Sequence, residues 1–228
     1  MGISERRERE KIERRRTILG CARELILLQG VQRVSMEDIA RKAELSKATV
    51  YLYFSSKEIL FNEICEEAAR VFLEHLGPFL KTGLTGMAAL KCFWRGYVEL
   101  FGNSDEMIIV FQVHNFMNPG LPFVSLEEQS KSPSVDTILE SMKTIIDQCK
   151  AEGIFDPGLD SAMATRLLLS MFSIIVENAA RIPPEARKSP AIIEEMTGAF
   201  QIIIRGFSRE GVDRGRLDIT AVDSENYQ

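Results

Sequence analysis

Apolar residues recur every three or four positions along almost the whole chain, and no alternation of period two persists beyond a few residues, so the pattern predicts an all-α protein. The first helix runs from about Glu5 to Leu28, with Ile12, Leu19, Ala22 and Ile26 on one side and Gly30 placed to end it. Two short helices follow. A longer one starts near Lys57, carries Leu60, Ile64, Ala68, Val71 and Phe72, and stops at Gly77-Pro78. Further helices are predicted over Thr85–Phe101, Asp105–Met117, Ser134–Glu152, Asp160–Arg181 and Ser189–Phe207. The breaks between them fall at Asn118-Pro119-Gly120 and Pro122, at Gly153 and Asp156-Pro157-Gly158, and at Pro183-Pro184. After Gly211 the chain turns polar and loses its periodicity, which predicts a frayed tail. The organisation expected is a small domain over 1–60, a larger helical domain over 61–211 and a polar tail over 212–228.

The two short helices carry the chemistry. Ser35-Met36-Glu37-Asp38 has the form of a capping box, in which the hydroxyl satisfies an orphan N–H and the acid three residues on reaches back. Ile39, Ala40 and Ala43 give the helix that starts there a small apolar face, and Glu44-Leu45 is a very short connection to a second cap at Ser46. Helices joined so tightly cross steeply, which is the helix-turn-helix arrangement: the second helix can lie in a DNA major groove. At 100° per residue, Val50 and Phe54 face Ile39 and Ala40, while Ala48, Thr49 and Leu52 face outward, Lys47 stands at the helix mouth, and Tyr51 and Tyr53 flank the outer face. An exposed Leu52 between two tyrosines makes a poor solvent surface. It suits thymine methyl groups, with tyrosine hydroxyls donating to phosphates. Lys57, opening the next helix, is placed to reach a phosphate as a point charge. The competing reading is a solvated short helix whose tyrosines merely cover the core.

Charge adds an asymmetry. Residues 1–60 hold 13 Lys and Arg against 9 Asp and Glu, and the remainder holds 15 against 24, so a basic front is joined to an acidic back within a net charge of −5. Such a division points to a polyanion at one end. The run Arg6, Arg7, Arg9, Lys11, Arg14, Arg15 and Arg16 reads either as a basic arm on phosphates or as a solvated helix face, since Glu5–Arg9 and Glu10–Arg14 are i,i+4 pairs.

At the same residues the sequence resembles a family. Ser35 to Leu60 reads S-M-E-D-I-A-R-K-A-E-L-S-K-A-T-V-Y-L-Y-F-S-S-K-E-I-L, joining I-A-x-x-A, a short turn, S-x-x-T-x-Y-x-Y-F and S-K-E-x-L. It is similar to the DNA-binding signature of tetracycline-repressor (TetR) type transcriptional regulators, and it lies near the amino terminus, where that family carries it. The resemblance implies a homodimer that binds a palindromic double-stranded operator, usually as a repressor, and releases it when a small, largely apolar effector fills the larger domain. It assigns phosphate contact or helix anchoring to Ser35 and Ser46. Contacts in the groove fall to Lys47, Ala48 and Thr49, and backbone contacts to Tyr51, Tyr53 and Lys57. Two positions depart from the pattern. Glu44 and Ala48 stand where the family often has glycine, so the turn must tolerate a side chain.

In the back of the chain, Ala164, Leu168, Met171, Ile175, Asn178 and Ile182, and again Ile193, Met196, Phe200, Ile203 and Phe207, step by threes and fours as packed helices do. Leu168, Met171, Ile175, Met196, Phe200 and Ile203 are therefore candidates for a two-chain interface, the other reading being an intramolecular core. The position also matches where TetR-type proteins form a four-helix dimer bundle. Trp94, Tyr97, Phe101, Phe111, Met117 and Met171 supply an apolar wall for an effector pocket, with Arg95, His114, Glu177 and Asn178 as embedded polar groups. Core packing is again the plainer alternative for each residue.

Several classes are excluded or disfavoured. With 45% of residues apolar and 27% charged, the chain can bury a core and is not disordered throughout. The run Leu167–Val176 is too short to span a bilayer, and the Arg- and Glu-rich start lacks the apolar stretch of a secretory signal, so a cytoplasmic protein is expected. Cys21, Cys65, Cys92 and Cys149 form no C-x-x-C pair and read as core residues, with redox sensing as the alternative. His75 and His114 have no metal-ligand spacing, and no cofactor is expected. Phosphate-loop, nucleophile-elbow and zinc-protease motifs are absent, so the chain is not expected to be an enzyme. Two rivals to a ligand-released repressor stay open: an all-helical carrier or enzyme for an apolar ligand, and a DNA-binding dimer without an effector.

Overall fold

Each helix predicted from periodicity is present in the computed structural model, which describes residues 3–77, 83–117, 132–179, 182, 184–187 and 189–219. The order is α1 (Ile3–Gln29), α2 (Met36–Lys42), α3 (Lys47–Tyr53), α4 (Lys57–Leu76), α5 (Gly86–Asn103), α6 (Glu106–Met117), α7 (Pro133–Ala151), α8 (Ser161–Ala179), α9 (Pro184–Arg187) and α10 (Pro190–Phe207). Among the described residues there is no strand, only an isolated antiparallel bridge between Phe155 and Ser208. The turn signals at Pro78, Asn118–Pro122 and Pro183 lie outside the described residues.

Local chemistry sets these boundaries. Ser35, Ser46, Ser56, Thr85 and Ser132 each accept a hydrogen bond from the backbone N–H three residues on, so five helices open on a hydroxyl cap. Gly30, at φ 81°, ends α1 in the left-handed conformation that glycine adopts without steric penalty. A 3-10 turn at Val31–Arg33, not anticipated from the pattern, then leads to α2.

The front domain packs α1, α2, α3 and the start of α4 around Ile18, Leu19, Ala22, Ile26, Ile39, Ala40, Val50, Phe54 and Leu60, all of them buried. Ile12 was expected on that core face but is 45% exposed, because the first turns of α1 run past the body they would pack on. Arg15, counted with the basic run, is turned inward: its guanidinium pairs with Glu63 of α4, donates to the Tyr53 carbonyl at 3.2 Å and lies 4.3 Å from the Phe54 ring centre. It ties α1 to the end of α3 and to α4.

The back domain is a bundle of α4 to α8 with α10 against α8. Its centre is aromatic: Tyr97 stacks on Phe172 at 4.3 Å and Trp94 on Phe200 at 4.5 Å between ring centres. Glu66 of α4 caps α7, accepting from the Ser132 hydroxyl at 2.7 Å, from the Ser134 N–H at 3.0 Å and from the Ser134 hydroxyl. The tail corrects the expectation of fraying from Gly211 onward. Residues Arg214–Leu217 form a 3-10 turn, Leu217 and Ile219 are buried, and the Gln201 side chain bonds the Leu217 carbonyl at 2.7 Å and the Ile219 N–H at 3.1 Å. Two apolar residues and one amide hold a segment that composition marked as polar; residues 220–228 lie outside the described ones.

Candidate nucleic-acid interface and effector core

The reading helix is built from the turn outward. The Ser35 hydroxyl accepts from the Asp38 N–H at 3.1 Å while Asp38 accepts from the Ser35 N–H at 3.2 Å, completing the reciprocal capping box. That same hydrogen bonding, chiefly with the Ser35 hydroxyl, draws the Asp38 carboxyl below its ordinary pKa, with Arg41 adding to it and burial opposing it. At the other end of α2, the Glu44 N–H donates to the Arg41 carbonyl and the Leu45 N–H to the Ala40 carbonyl at 2.9 Å, which is a Schellman closure. Glu44 takes its left-handed position, at φ 55°. The side chain anticipated in a glycine-favouring turn is therefore present, and strained. Ser46 then caps α3, accepting from the Thr49 N–H at 3.0 Å and sharing a 2.8 Å hydrogen bond with the Thr49 hydroxyl.

On α3, Val50 and the following Phe54 are fully buried. The opposite face carries Lys47, Ala48 and Leu52, with Thr49 half-buried beside them. Leu52 is 85% exposed, more than any other large apolar side chain among the described residues, and Tyr51 is 43% exposed. Lys47 leans towards Glu37 of α2, 3.9 Å away. Glu37 was not singled out from the sequence; its place in the first turn of α2 is the signal. Tyr53 is half-buried against the core.

Lys57 does not join this face. Its ammonium lies 3.4 Å from the Val31 carbonyl and 4.5 Å and 5.0 Å from the ring centres of Phe116 and Phe61. Burial lowers its pKa, partly offset by Glu58. The phosphate contact expected of Lys57 is thus corrected: in this structure it bridges α4, the Val31 turn and α6. Its position at the start of α4 was legible, but the direction of its side chain was not.

That bridge belongs to a wider junction. The Val31 N–H donates to the Gln112 side chain of α6 at 3.3 Å, and Arg23 of α1 pairs with Glu106 at the α6 amino terminus. The neighbouring Asp105 pairs with Arg187, which is 6% exposed and also donates to the Ile182 carbonyl. Helix α6 is therefore tied to the front domain on one side and to α9 on the other.

Helix α6 also forms a wall of a small apolar cavity with room of about 20 Å³. The lining comes from Phe72, Phe93, Tyr97, Met107, Val110, Phe111, Val135, Ile138, Leu139, Leu169 and Phe172. Of the pocket candidates, only Tyr97 and Phe111 line it. Trp94 stacks behind Tyr97, and Phe101 and His114 are buried elsewhere in the core. Burial lowers the His114 pKa to about 4, so its ring is neutral at pH 7. Met117 and Met171 pack at the margin of the core, and Glu177 and Asn178 are exposed, with Glu177 accepting from Asn115 at 2.7 Å. None of these others lines the cavity. The contribution of α7 was missed because apolar spacing does not distinguish a position beside a void from one beside a side chain.

The interface candidates divide in the same way. Leu168, Met196 and Phe200 are fully buried in the chain's own core, so they cannot meet a second chain, while Met171, Ile175 and Ile203 are half-buried. The outward stripe is instead Met163, Leu167 and Ile174 on α8, 49–60% exposed, with Ile202 on α10 at 71%. Both helices carry two apolar stripes, and the steps of three and four fit either.

Cys65 and Cys149 are buried, with thiols pushed up to about 12 chiefly by burial. Among the described residues, no cluster of three or more His, Cys, Asp or Glu could hold a metal, and no helix is long and apolar enough to cross a membrane.

A pair of capped helices joined by a tight turn, with an apolar and phenolic outer face and a helical body behind, defines a helix-turn-helix DNA-binding regulator. Residues 18–64 match the family model of the bacterial regulatory proteins of the tetR family. The fatty acid metabolism regulator protein of Bacillus subtilis (strain 168) is 26% identical over 155 residues, covering 66% of this chain and 75% of that protein. A TetR family transcriptional regulator, PfmR, from Thermus thermophilus superposes with a TM-score of 0.56 at 24% identity, over 84% of this chain and 99% of that one. The AibR structure in complex with isovaleryl coenzyme A and operator DNA gives 0.57 at 22% identity, over 82% and 97%. The matched segment is thus the DNA-binding part of a tetR-type regulator, and over most of its length the chain is similar to regulators of that kind.

Proposed function

We propose that this regulator is a homodimeric repressor of a palindromic operator, released when a small, largely apolar effector opens the core of the back domain. The observation that carries the DNA-reading part is Leu52, held 85% exposed between two tyrosines on a helix capped by Ser46. A solvent-facing helix gains nothing from that side chain, whereas a thymine methyl would bury it. The residues taken to reach DNA are Lys47, Ala48, Thr49, Tyr51 and Leu52, with Ser35 and Ser46 anchoring the helix starts and Tyr53 at the edge. The second chain is taken to cover Met163, Leu167, Ile174 and Ile202.

Release follows from the cavity's size. Room for about one water is far below the several hundred Å³ of an ordinary ligand pocket, so an effector enters only by displacing walls. Met107, Val110 and Phe111 place α6 among those walls, and α6 also holds Arg23 and Val31 of the front domain. An effector that favours the displaced α6 therefore weakens the arrangement that sets the reading heads. The isovaleryl coenzyme A of the AibR complex and the fatty acid regulator of Bacillus subtilis are consistent with an effector of apolar body. No catalytic step is assigned to the chain, and its place of work is the cytoplasm, where the operator lies.

Selection of bound sequences from random duplex DNA tests the reading. It should enrich an inverted repeat with half-sites about one helical turn, roughly 34 Å, or a multiple of it apart. Enrichment of a single unrepeated site, or of nothing, refutes it.

A further inference from the structure

Helix α1 overhangs the body of the front domain. Every residue from 5 to 14 is exposed, and burial begins at the half-buried Arg15. The charges on this overhang are sorted by side. Arg7, Lys11, Arg14 and Arg15 stand at i, i+4, i+7 and i+8 and share one face of the helix. At 100° per residue, Glu5, Glu8, Glu10 and Glu13 all fall outside that face, leaving it a sector of about 160° without an acid. Arg6, Arg9 and Arg16 lie among the acids on the other side. The cationic face continues into the body as Ile18 and Ala22, which are fully buried. One stripe of α1 is therefore apolar where the body covers it and cationic where the body ends.

The stripe is also anchored. Arg15, its last cation, donates at 3.2 Å to the carbonyl of Tyr53, the final residue of α3, and pairs with Glu63 of α4. The overhang thus leaves the body beside the carboxyl end of the reading helix. Arg7 lies eight residues, or about 12 Å, beyond that anchor. Glu10 pairs with Arg14 at 2.8 Å and braces the overhang as helix.

We infer that this stripe is a further DNA contact, an arm whose Arg7 and Lys11 lie along the phosphate backbone beside the groove that α3 enters. This rests on the reading of α3 as the helix in the groove. The arm adds affinity without sequence choice, because phosphates carry no base identity. The sorted acids fix which way it lies: turned over, it would set four carboxylates against the phosphates. A second copy of the chain is the rival occupant, since residues 61–228 hold 24 acids against 15 bases.

Removing charge from either side of the arm in the full-length protein makes the test. The stripe variant is Arg7→Gln with Lys11→Gln; the control, Arg9→Gln with Arg16→Gln, takes the same charge from the opposite side. All four side chains are exposed, so both variants should melt as wild type does. Operator affinity is measured from 50 to 200 mM salt. One phosphate per cation in each of two heads makes the log–log slope of the stripe variant shallower by about 3 to 4, so its deficit against wild type shrinks roughly 10²-fold across that range. The control slope should stay within about 1 of wild type, and preference for the operator over a scrambled duplex should be the same in all three proteins. A stripe variant with the wild-type slope, a control that loses as much, a preference that falls with the stripe, or a stripe variant melting well below wild type would each overturn the inference. Dissociation of the stripe variant into monomers without DNA, seen by sedimentation, would also do so, by giving the stripe to a second copy. Lys47→Met separates this failure from that of the reading helix. A slope reduced there but kept in the stripe variant leaves α3 in the groove and removes the arm, whereas a wild type that ignores the selected operator removes both.

Discussion

Glu44 sits at φ 55° in the turn between α2 and α3, the one non-glycine residue with positive φ among those described. An L-residue in this left-handed conformation is strained by roughly 1–2 kcal/mol through the approach of its Cβ to the backbone. Glycine relieves that strain but brings about 0.5–1 kcal/mol of extra freedom to the unfolded chain. The difference leaves Glu44→Gly more stable by about 0.5–1 kcal/mol, or about 1–4 °C in melting temperature for a chain of this size. The side chain itself is largely solvated, so its loss removes little packing. A carboxylate at the end of α2 also opposes the helix dipole by a few tenths of a kcal/mol. Glu44→Ala separates the two causes, since it removes the charge and keeps the Cβ. Thermal and urea denaturation of the three proteins should rank glycine well above alanine, with alanine close to wild type. If alanine stabilises as much as glycine, charge and not backbone geometry limits the turn, and the strain argument is wrong.

Other consequences follow from the same structure. Leu52→Ser should leave unfolding stability within about 0.5 kcal/mol while weakening binding to the selected operator about tenfold or more in a gel-shift titration. Ile174→Glu, on a side chain already 60% exposed, should give a folded monomer by sedimentation, with operator affinity lower by roughly 10²-fold or more as one head is lost. Glu66 is raised by burial, but the hydrogen bonds from Ser134 and Ser132, with Arg70, outweigh this and hold its carboxyl below the ordinary value. Its contribution to stability is therefore complete above the unfolded pKa of about 4.3 and is lost as pH falls through the lower folded value. Glu66→Gln should cost about 1–2 kcal/mol at pH 7 and flatten the loss of stability below about pH 4, as followed by urea titration across pH.

Where local covalent chemistry decides structure, the sequence was legible. The caps at Ser35 and Ser46, the burial of Val50 and Phe54, the outward Leu52 and the stopping glycine at position 30 all follow from side-chain type and helical phase. Even the awkward Glu44 was visible, through the resemblance, as a side chain where the family often has glycine. Legibility ended where one position has two neighbours to choose between. Lys57 has a stem long enough to reach solvent or the Val31 carbonyl, and only the packed Phe116 and Phe61 rings decide. Leu168 and Leu167 are equally apolar and one residue apart; the first is buried in the chain's own core, the second is 49% exposed. Tyr97 was named as a pocket residue among many aromatics, but its unpartnered hydroxyl is a property of packing alone.

The central claim is that the outer face of α3 meets the phosphates and base edges of duplex DNA. The dependence of operator affinity on salt tests it most directly, for wild type and for Lys47→Met, whose ammonium stands at the mouth of that helix and 57% exposed. Displacement of counterions from several phosphates predicts a steep linear fall of log K with log salt, and a slope shallower by about 2 in the variant, one unit for each head of the dimer. A flat dependence in wild type, or an unchanged slope in Lys47→Met, would contradict the account.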